Sequence, residues 1–221
     1  TFIDLELSQQ CTQEPAAAVF VRINSEGKKL NQSDFILTLM SVFWDDGRTQ
    51  LENFCRAARY PAPAGQPSPF NQIFQPDPDH LLRVNVGVAF RRARLEFVYS
   101  LLRGKDLATG AVSIGARDSQ FGRLRKAQQQ VLNLTYWADF LNVVRSAGYR
   151  SKNTISSVTA LVFTYQLYLL GRTEFGVDAF KLKNAIARWL FMSLLTGRYS
   201  SSPESKMEMD LAELRELKTA E

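Results

Sequence analysis

Arg22 and Asn24 flank Ile23 just ahead of Gly27 in the stretch "VFVRINSEGKKLNQSDFILTLM", residues 19–40. A guanidinium fork and a side-chain amide beside a glycine turn are polar groups that a turn by itself does not explain. A second cluster, Arg198, Tyr199 and Ser200, precedes "SSPESKMEMDL", where Ser202 reads as an N-cap, Pro203 as the first helical residue and Glu204 as a dipole-favoured acid. A helix N-terminus beside an arginine is a candidate anion site. A third set, Arg91, Arg92 and Arg94, lies in residues 81–105, where six cations face Glu96 alone, a density suited to nucleic-acid phosphates. Catalytic sets are harder to find. The lone His80 has no nucleophile or metal partner nearby in sequence, Cys11 and Cys55 lack metal or redox spacing, and no Walker string occurs.

Each cluster also has a plain structural reading. Gly27 can end one helix in the left-handed conformation, Asn31 can cap the next with Asp34 in its first turn, and Leu30 can pack onto Phe35. Such a helix-turn-helix accounts for everything in the stretch except Arg22 and Asn24. The arginines of residues 81–105 read equally as a solvated helix face. Trp44, Trp137 and Trp189 could be taken for base-stacking platforms but fit packing positions in amphipathic helices better. Asp45 and Asp46 read as a solvated turn.

The elements that position these groups are nearly all helical. Periodicity predicts helices over residues 14–25, 33–43, 48–59, 81–103, 119–147, 153–171, 177–196 and 203–218. Only "TFIDLELS", residues 1–8, alternates like a strand, and its want of a partner suggests a fragment of a longer protein. Leu81, Val88, Leu95 and Leu102 recur every seven residues, with Val84 and Val98 beside them, as one buried stripe of a single helix. "NTISSVTALVFTYQLYLLG" and "FKLKNAIARWLFMSLLTG" are apolar on more than one face, as central helices are. "YPAPAGQPSPF" and "QPDPDH" make a proline-punctuated loop, and "KDLATGAVSIGARDSQ" reads as a second, exposed loop. The expected fold is all-α, a multi-helix bundle with a short N-terminal strand remnant. Its expected organisation is a strand and helix-turn-helix junction over residues 1–60, a proline-rich loop over 61–80 and a helical bundle over 81–221.

At 221 residues, 45% of them hydrophobic, the chain can bury a sizeable core. Its net charge of +5 is moderate and unevenly placed. The longest apolar stretch is about a dozen residues, short of the roughly twenty that span a bilayer, so no membrane partner is expected. Two cysteines and no evident leader place the protein in the cytoplasm by expectation.

The two stretches "VFVRINSEGKKLNQSDFILTLM" and "WLFMSLLTGRYSSSPESKMEMDLAEL" resemble the GmrSD-type proteins. These are prokaryotic, modification-dependent (type IV) restriction and phage-defence proteins with a ParB-like N-terminal nucleotide-handling region. The resemblance runs through most of the chain and makes Phe20, Arg22, Asn24, Gly27 and Leu30 the positions of a family motif. In that family a D-G-Q-Q-R string upstream is tied to nucleotide binding and hydrolysis, and a separate HNH nuclease cuts DNA. The string does not occur here, and one histidine cannot supply an HNH metal site. The resemblance therefore implies a non-catalytic helical domain of a nucleotide-dependent DNA restriction protein. It implies no cofactor of its own, with NTP, divalent metal, DNA, the ParB-like domain and the HNH nuclease all belonging to the full-length NTPase and endonuclease. Arg22 and Asn24 would then face the ParB-like domain. A stand-alone helical nucleic-acid-binding or protein-interaction module is the competing reading.

Overall fold

The computed structural model describes residues 31–105 and 112–216. Among them are nine α-helices, a 3-10 turn at Lys152–Thr154 and a single isolated antiparallel bridge between Lys105 and Val112, with no strand. The helices are α1 Gln32–Phe43, α2 Asp45–Ala57, α3 Pro78–Phe90, α4 Leu95–Leu102 and α5 Ile114–Val131, followed by α6 Leu134–Ser146, α7 Val158–Thr173, α8 Ala179–Leu195 and α9 Pro203–Glu216. The all-α expectation holds. The strand expected over residues 1–8, the helix over 14–25, and Arg22, Asn24 and Gly27 lie outside the described residues.

Local chemistry sets several helix starts. Asn31 donates its N–H to Asp34 Oδ2 at 3.2 Å, closing the first turn of α1. Ahead of α3 the Asp77 N–H donates to His80 Nδ1 at 3.0 Å, and Pro78 opens the helix where its missing N–H costs nothing. That bond makes His80 a capping residue, and burial favours its neutral form, the form that can accept on Nδ1. Ser113, Ser157 and Asp178 accept backbone N–H groups at the starts of α5, α7 and α8.

Two expected long helices are each broken in two. The helix expected over residues 119–147 divides at Leu132 and Asn133, and Asn133 Oδ1 accepts the N–H groups of Thr135 and Tyr136 to start α6. The helix expected over residues 81–103 ends at Phe90, and Arg91 turns left-handed at φ 55°. Leu81, Val84, Leu95, Val98 and Leu102 of its heptad stripe are buried and Val88 is partly buried, but two helices share the stripe. The exposed loop expected over residues 105–120 is also shorter than its composition suggests, because α5 starts at Ile114.

α7 is the centre of the bundle. It packs against α3 and α8, while α3 also packs against α5. Eleven of the sixteen α7 residues are buried, so the helix has no solvent face. Gly87 of α3 permits the close approach, because a Cβ there would stand 1.9 Å from Cδ of Gln166 on α7. A buried amide relay ties three further elements together: Asn85 Nδ2 donates to Gln128 Oε1 at 3.1 Å, and Gln128 Nε2 donates to the Gly47 carbonyl at 2.9 Å. By contrast α8, expected as a second central helix, buries only Leu182, Ile186, Leu190 and Ser193. Its Phe180, Phe191, Met192 and Leu195 are exposed.

The proline-rich segment does more than separate two halves. Asn71 is buried and folds the segment on itself, donating to the Pro69 and Phe74 carbonyls and accepting the Ile73 and Phe74 N–H groups. This presses Ile73 and Phe74 into the core. One hydrophobic cluster takes in Ile36 of α1, Phe54 of α2, Phe74 of the segment, Trp137 of α6 and Leu211 of α9. Residues before and after the expected boundary at 61–80 thus share one core. Trp137 lies at its middle, while Trp44 and Trp189 are partly buried against its edge.

Candidate functional site

The second motif stretch builds the turn from α8 into α9. Gly197, at φ 60°, ends α8 in the left-handed conformation, and the Arg198 N–H reaches back to the Ser193 carbonyl at 3.0 Å. Ser200 then folds onto Gly197, its hydroxyl donating to the Gly197 carbonyl at 2.7 Å. The turn places Arg198 and Tyr199 beneath α9, where both meet Asp210. The Tyr199 hydroxyl donates to Asp210 Oδ2 at 2.6 Å, Arg198 Nε donates to the same oxygen at 3.2 Å, and Arg198 Nη2 donates to Oδ1. Asp210 is only 5% exposed. Burial pushes the Tyr199 hydroxyl well above its ordinary value, and its hydrogen bond to Asp210 adds to this. The hydrogen bond to Asp210 keeps Arg198 charged, although burial opposes it.

Aromatic contacts complete the clamp. Arg198 lies over the Trp189 ring, 5.2 Å from its centroid, and Tyr199 meets Phe163 edge to face at 5.1 Å. Beside it is a cavity of about 460 Å³ lined mainly by apolar side chains, among them Leu170, Phe175, Ile186, Trp189 and Leu214, with Asp210 at its polar edge. The Trp189 indole N–H is buried and has no hydrogen-bond partner among the described residues.

The anion expected beside Arg198, Tyr199 and Ser200 is therefore the chain's own Asp210 carboxylate. A bidentate arginine, a tyrosine O–H and a buried aspartate are arranged to hold two helices together rather than to receive a ligand phosphate.

Arg91, Arg92 and Arg94 fall at the elbow between α3 and α4 and do not share a helix face. Arg91 pairs with Glu174 and lies over the Phe175 ring at 5.2 Å. Arg92 donates to Glu208 Oε1 at 2.6 Å, and Arg94 donates to Ser205 Oγ at 3.1 Å. Glu208 also accepts the Ala93 and Arg94 backbone N–H groups at 2.7 and 3.3 Å. One carboxylate from α9 thus satisfies two of the backbone donors at the break. Nearby, Arg83 bridges Asp79 and Glu204 at 3.2 and 2.5 Å. Three of the six cations in residues 81–105, Arg83, Arg91 and Arg92, are thus paired with carboxylates of the chain itself, and Arg91, Arg92 and Arg94 do not form one helix face.

Burial pushes the Glu208 carboxyl up, but the Ala93 N–H, the Arg92 guanidinium and the Arg94 N–H together hold it below its ordinary value of 4.5. A depressed carboxylate stabilises the fold above its unfolded-state value, and that contribution is lost as pH falls through the lower folded-state value. Glu208→Gln is expected to cost roughly 1–2 kcal/mol near neutral pH, at the low end for a charged hydrogen bond because Arg92 is partly exposed. The gap between variant and wild type should close as pH falls below 4.5, read from urea midpoints at each pH. A gap independent of pH would remove Glu208 from this role.

The partners that sequence reasoning missed are the carboxylates Glu174, Glu204, Glu208 and Asp210. Glu204 and Glu208 are four residues apart on α9, and this spacing was a visible acidic stripe. Nothing local tied it to arginines more than a hundred residues earlier.

Among the described residues no group of three His, Cys, Asp or Glu side chains is placed to hold a metal ion, and no helix is long and apolar enough to cross a membrane. The chain matches no protein-family model. No curated protein and no solved structure matches it either.

Proposed function

We propose that this chain is the non-catalytic helical part of a nucleotide-dependent, modification-dependent DNA restriction protein of the GmrSD type, acting in the cytoplasm in phage defence. The observation that carries this reading is the use made of the second motif stretch. Its most reactive groups, Arg198, Tyr199 and Asp210, are turned onto one another to lock α8 to α9. A motif used in this way supports a scaffold role, with NTP hydrolysis and DNA cleavage carried by a ParB-like region and an HNH nuclease. Arg22, Asn24 and Gly27 of the first motif are then the residues assigned to the junction with the nucleotide-handling region. A guanidinium fork and an amide there suit phosphate or a partner backbone.

The reading is tested by challenging cells that carry the complete gene with two phages, one whose DNA bears modified bases and one whose DNA does not. Selective loss of plaques on the modified phage, abolished by Arg22→Lys without loss of the protein from the cell, is the expected result. Equal plating of both phages would overturn the restriction reading. A stand-alone protein-interaction module is the second reading, and the exposed Phe191, Met192 and Leu195 on α8 favour it.

A further inference from the structure

With Arg83, Arg91, Arg92 and Arg198 committed to carboxylates, α5 is one of the helices whose cations are not neutralised by another element. This helix carries Arg117, Arg123, Arg125 and Lys126 against Asp118 alone. Its arginines are held mainly by rings. Arg117 lies 4.2 Å from the centroid of Phe43, Arg123 5.0 Å from that of Phe90, and Arg125 5.5 Å from that of Trp44. A guanidinium lying on a ring is oriented by the contact while its in-plane N–H donors stay free for an anion. Arg123, Arg125 and Lys126 are exposed, and none of the three forms an ion pair among the described residues.

Two of them open onto a cavity. A polar hollow of about 340 Å³ lies where α5 meets α3 and the end of α7, its lining including Ala89, Arg123, Lys126, Gln130, Thr173 and Glu174. Arg123 is fixed there by donating to the Ala89 carbonyl at 2.7 Å and to Gln120 Oε1 at 3.3 Å, which leaves further N–H donors on its fork. Thr173 Oγ1 directs its single hydrogen to the Leu169 carbonyl at 2.8 Å and lies 3.3 Å from the Gln130 side-chain amide, so Gln130 adds a polar group that can donate or accept to the lining. The one carboxylate in the lining, Glu174, is engaged by Arg91, so its repulsion of an incoming anion is reduced.

We propose that Arg123 and Lys126, with Gln130 one turn further along α5, form a binding site for a phosphate group. The phosphate can belong to a nucleic-acid backbone or to a free nucleoside triphosphate. The site stands independently of the restriction reading, because only the geometry of α5 and its neighbours carries it.

The test measures fluorescence anisotropy of the full chain with a labelled DNA duplex and, separately, with a fluorescent GTP analogue, at low and at physiological salt. Binding of the duplex that weakens as salt rises, and that falls about tenfold in the Arg123→Ala/Lys126→Ala double variant, identifies a backbone site. The same loss confined to the nucleotide identifies a free-nucleotide site. Because Arg123 also tethers Ala89, Lys126→Glu is measured alongside it. That change lies at an exposed residue and alters the charge without entering the core. Lys181→Ala/Lys183→Ala on α8 serves as the control for diffuse charge. Binding of neither probe, or binding lost in the α8 control and unchanged in both α5 variants, would overturn the proposal.

Discussion

Trp137→Ala is expected to lower the unfolding free energy by about 3–5 kcal/mol, the range for truncating a large buried aromatic. Trp137 is 1% exposed. Its ring meets Phe54 of α2 edge to face at 5.4 Å, Tyr165 of α7 at 5.3 Å and Phe74 of the proline-rich segment at 5.6 Å. The indole N–H donates to the Pro69 carbonyl at 2.9 Å. Truncation would open a void where four elements meet. The lost hydrogen bond is the smaller part, since Asn71 Nδ2 also donates to the Pro69 carbonyl. Trp137→Phe, which keeps much of the ring, should cost less than half as much. Urea unfolding followed by circular dichroism measures both. Because residues on either side of the segment share one core, the loss should appear as a shift of a single transition. Two transitions, with only one shifted, would show instead that residues 31–60 fold apart from the rest.

Why some of this was legible in the sequence, and some not, follows from where the deciding contacts come from. The starts of α1 and α9 are set within a turn of their own sequence, at Asn31 with Asp34 and at Pro203, and both were read, whereas the start of α3, set by Asp77 with His80, falls in residues read as proline-rich loop. Asn133 was a readable N-cap too, but the apolar pattern continues across it and masks the break before α6. The elbow at Arg91 carries no glycine or proline. Its broken backbone is tolerated because Glu208 arrives from α9 to accept two N–H groups, a contact between residues more than a hundred positions apart. The basic character of residues 81–105 misled for the same reason, since charge counted along the chain cannot see carboxylates supplied by another helix. On α8, apolar composition predicted burial on several faces, yet Phe191, Met192 and Leu195 face outward. Periodicity tells which face of a helix is apolar and does not tell whether a neighbour covers it. The phosphate site proposed on α5 was illegible because the groups that orient and enclose its cations, Phe90, Ala89 and Thr173, come from other helices.

The same separation between local and tertiary causes gives the second large effect, at Asp210. Asp210→Ala is expected to destabilise the fold by roughly 2–3 kcal/mol, below the full cost of breaking a buried ion pair. The discount comes from Arg198, whose side chain is 42% exposed and can turn to water while keeping its contact with Trp189. Tyr199 has no such escape. Only 3% exposed, its hydroxyl would be left facing Met207 Sδ at 3.6 Å, a weak acceptor. Tyr199→Phe removes that orphaned donor, so the double variant should be less destabilised than the sum of the two single variants. Asp210→Asn keeps the shape and one acceptor oxygen while removing the charge, and should fall between alanine and wild type. Thermal and urea unfolding of the four variants measure the coupling. Proteolysis at Arg198 and Lys206 reports whether α9 has come loose, and cleavage there should rise in step with the loss of stability. Unchanged stability and unchanged cleavage in Asp210→Ala would mean that the clamp does not hold α9. The arginine, tyrosine and aspartate of this motif would then need a ligand to explain them.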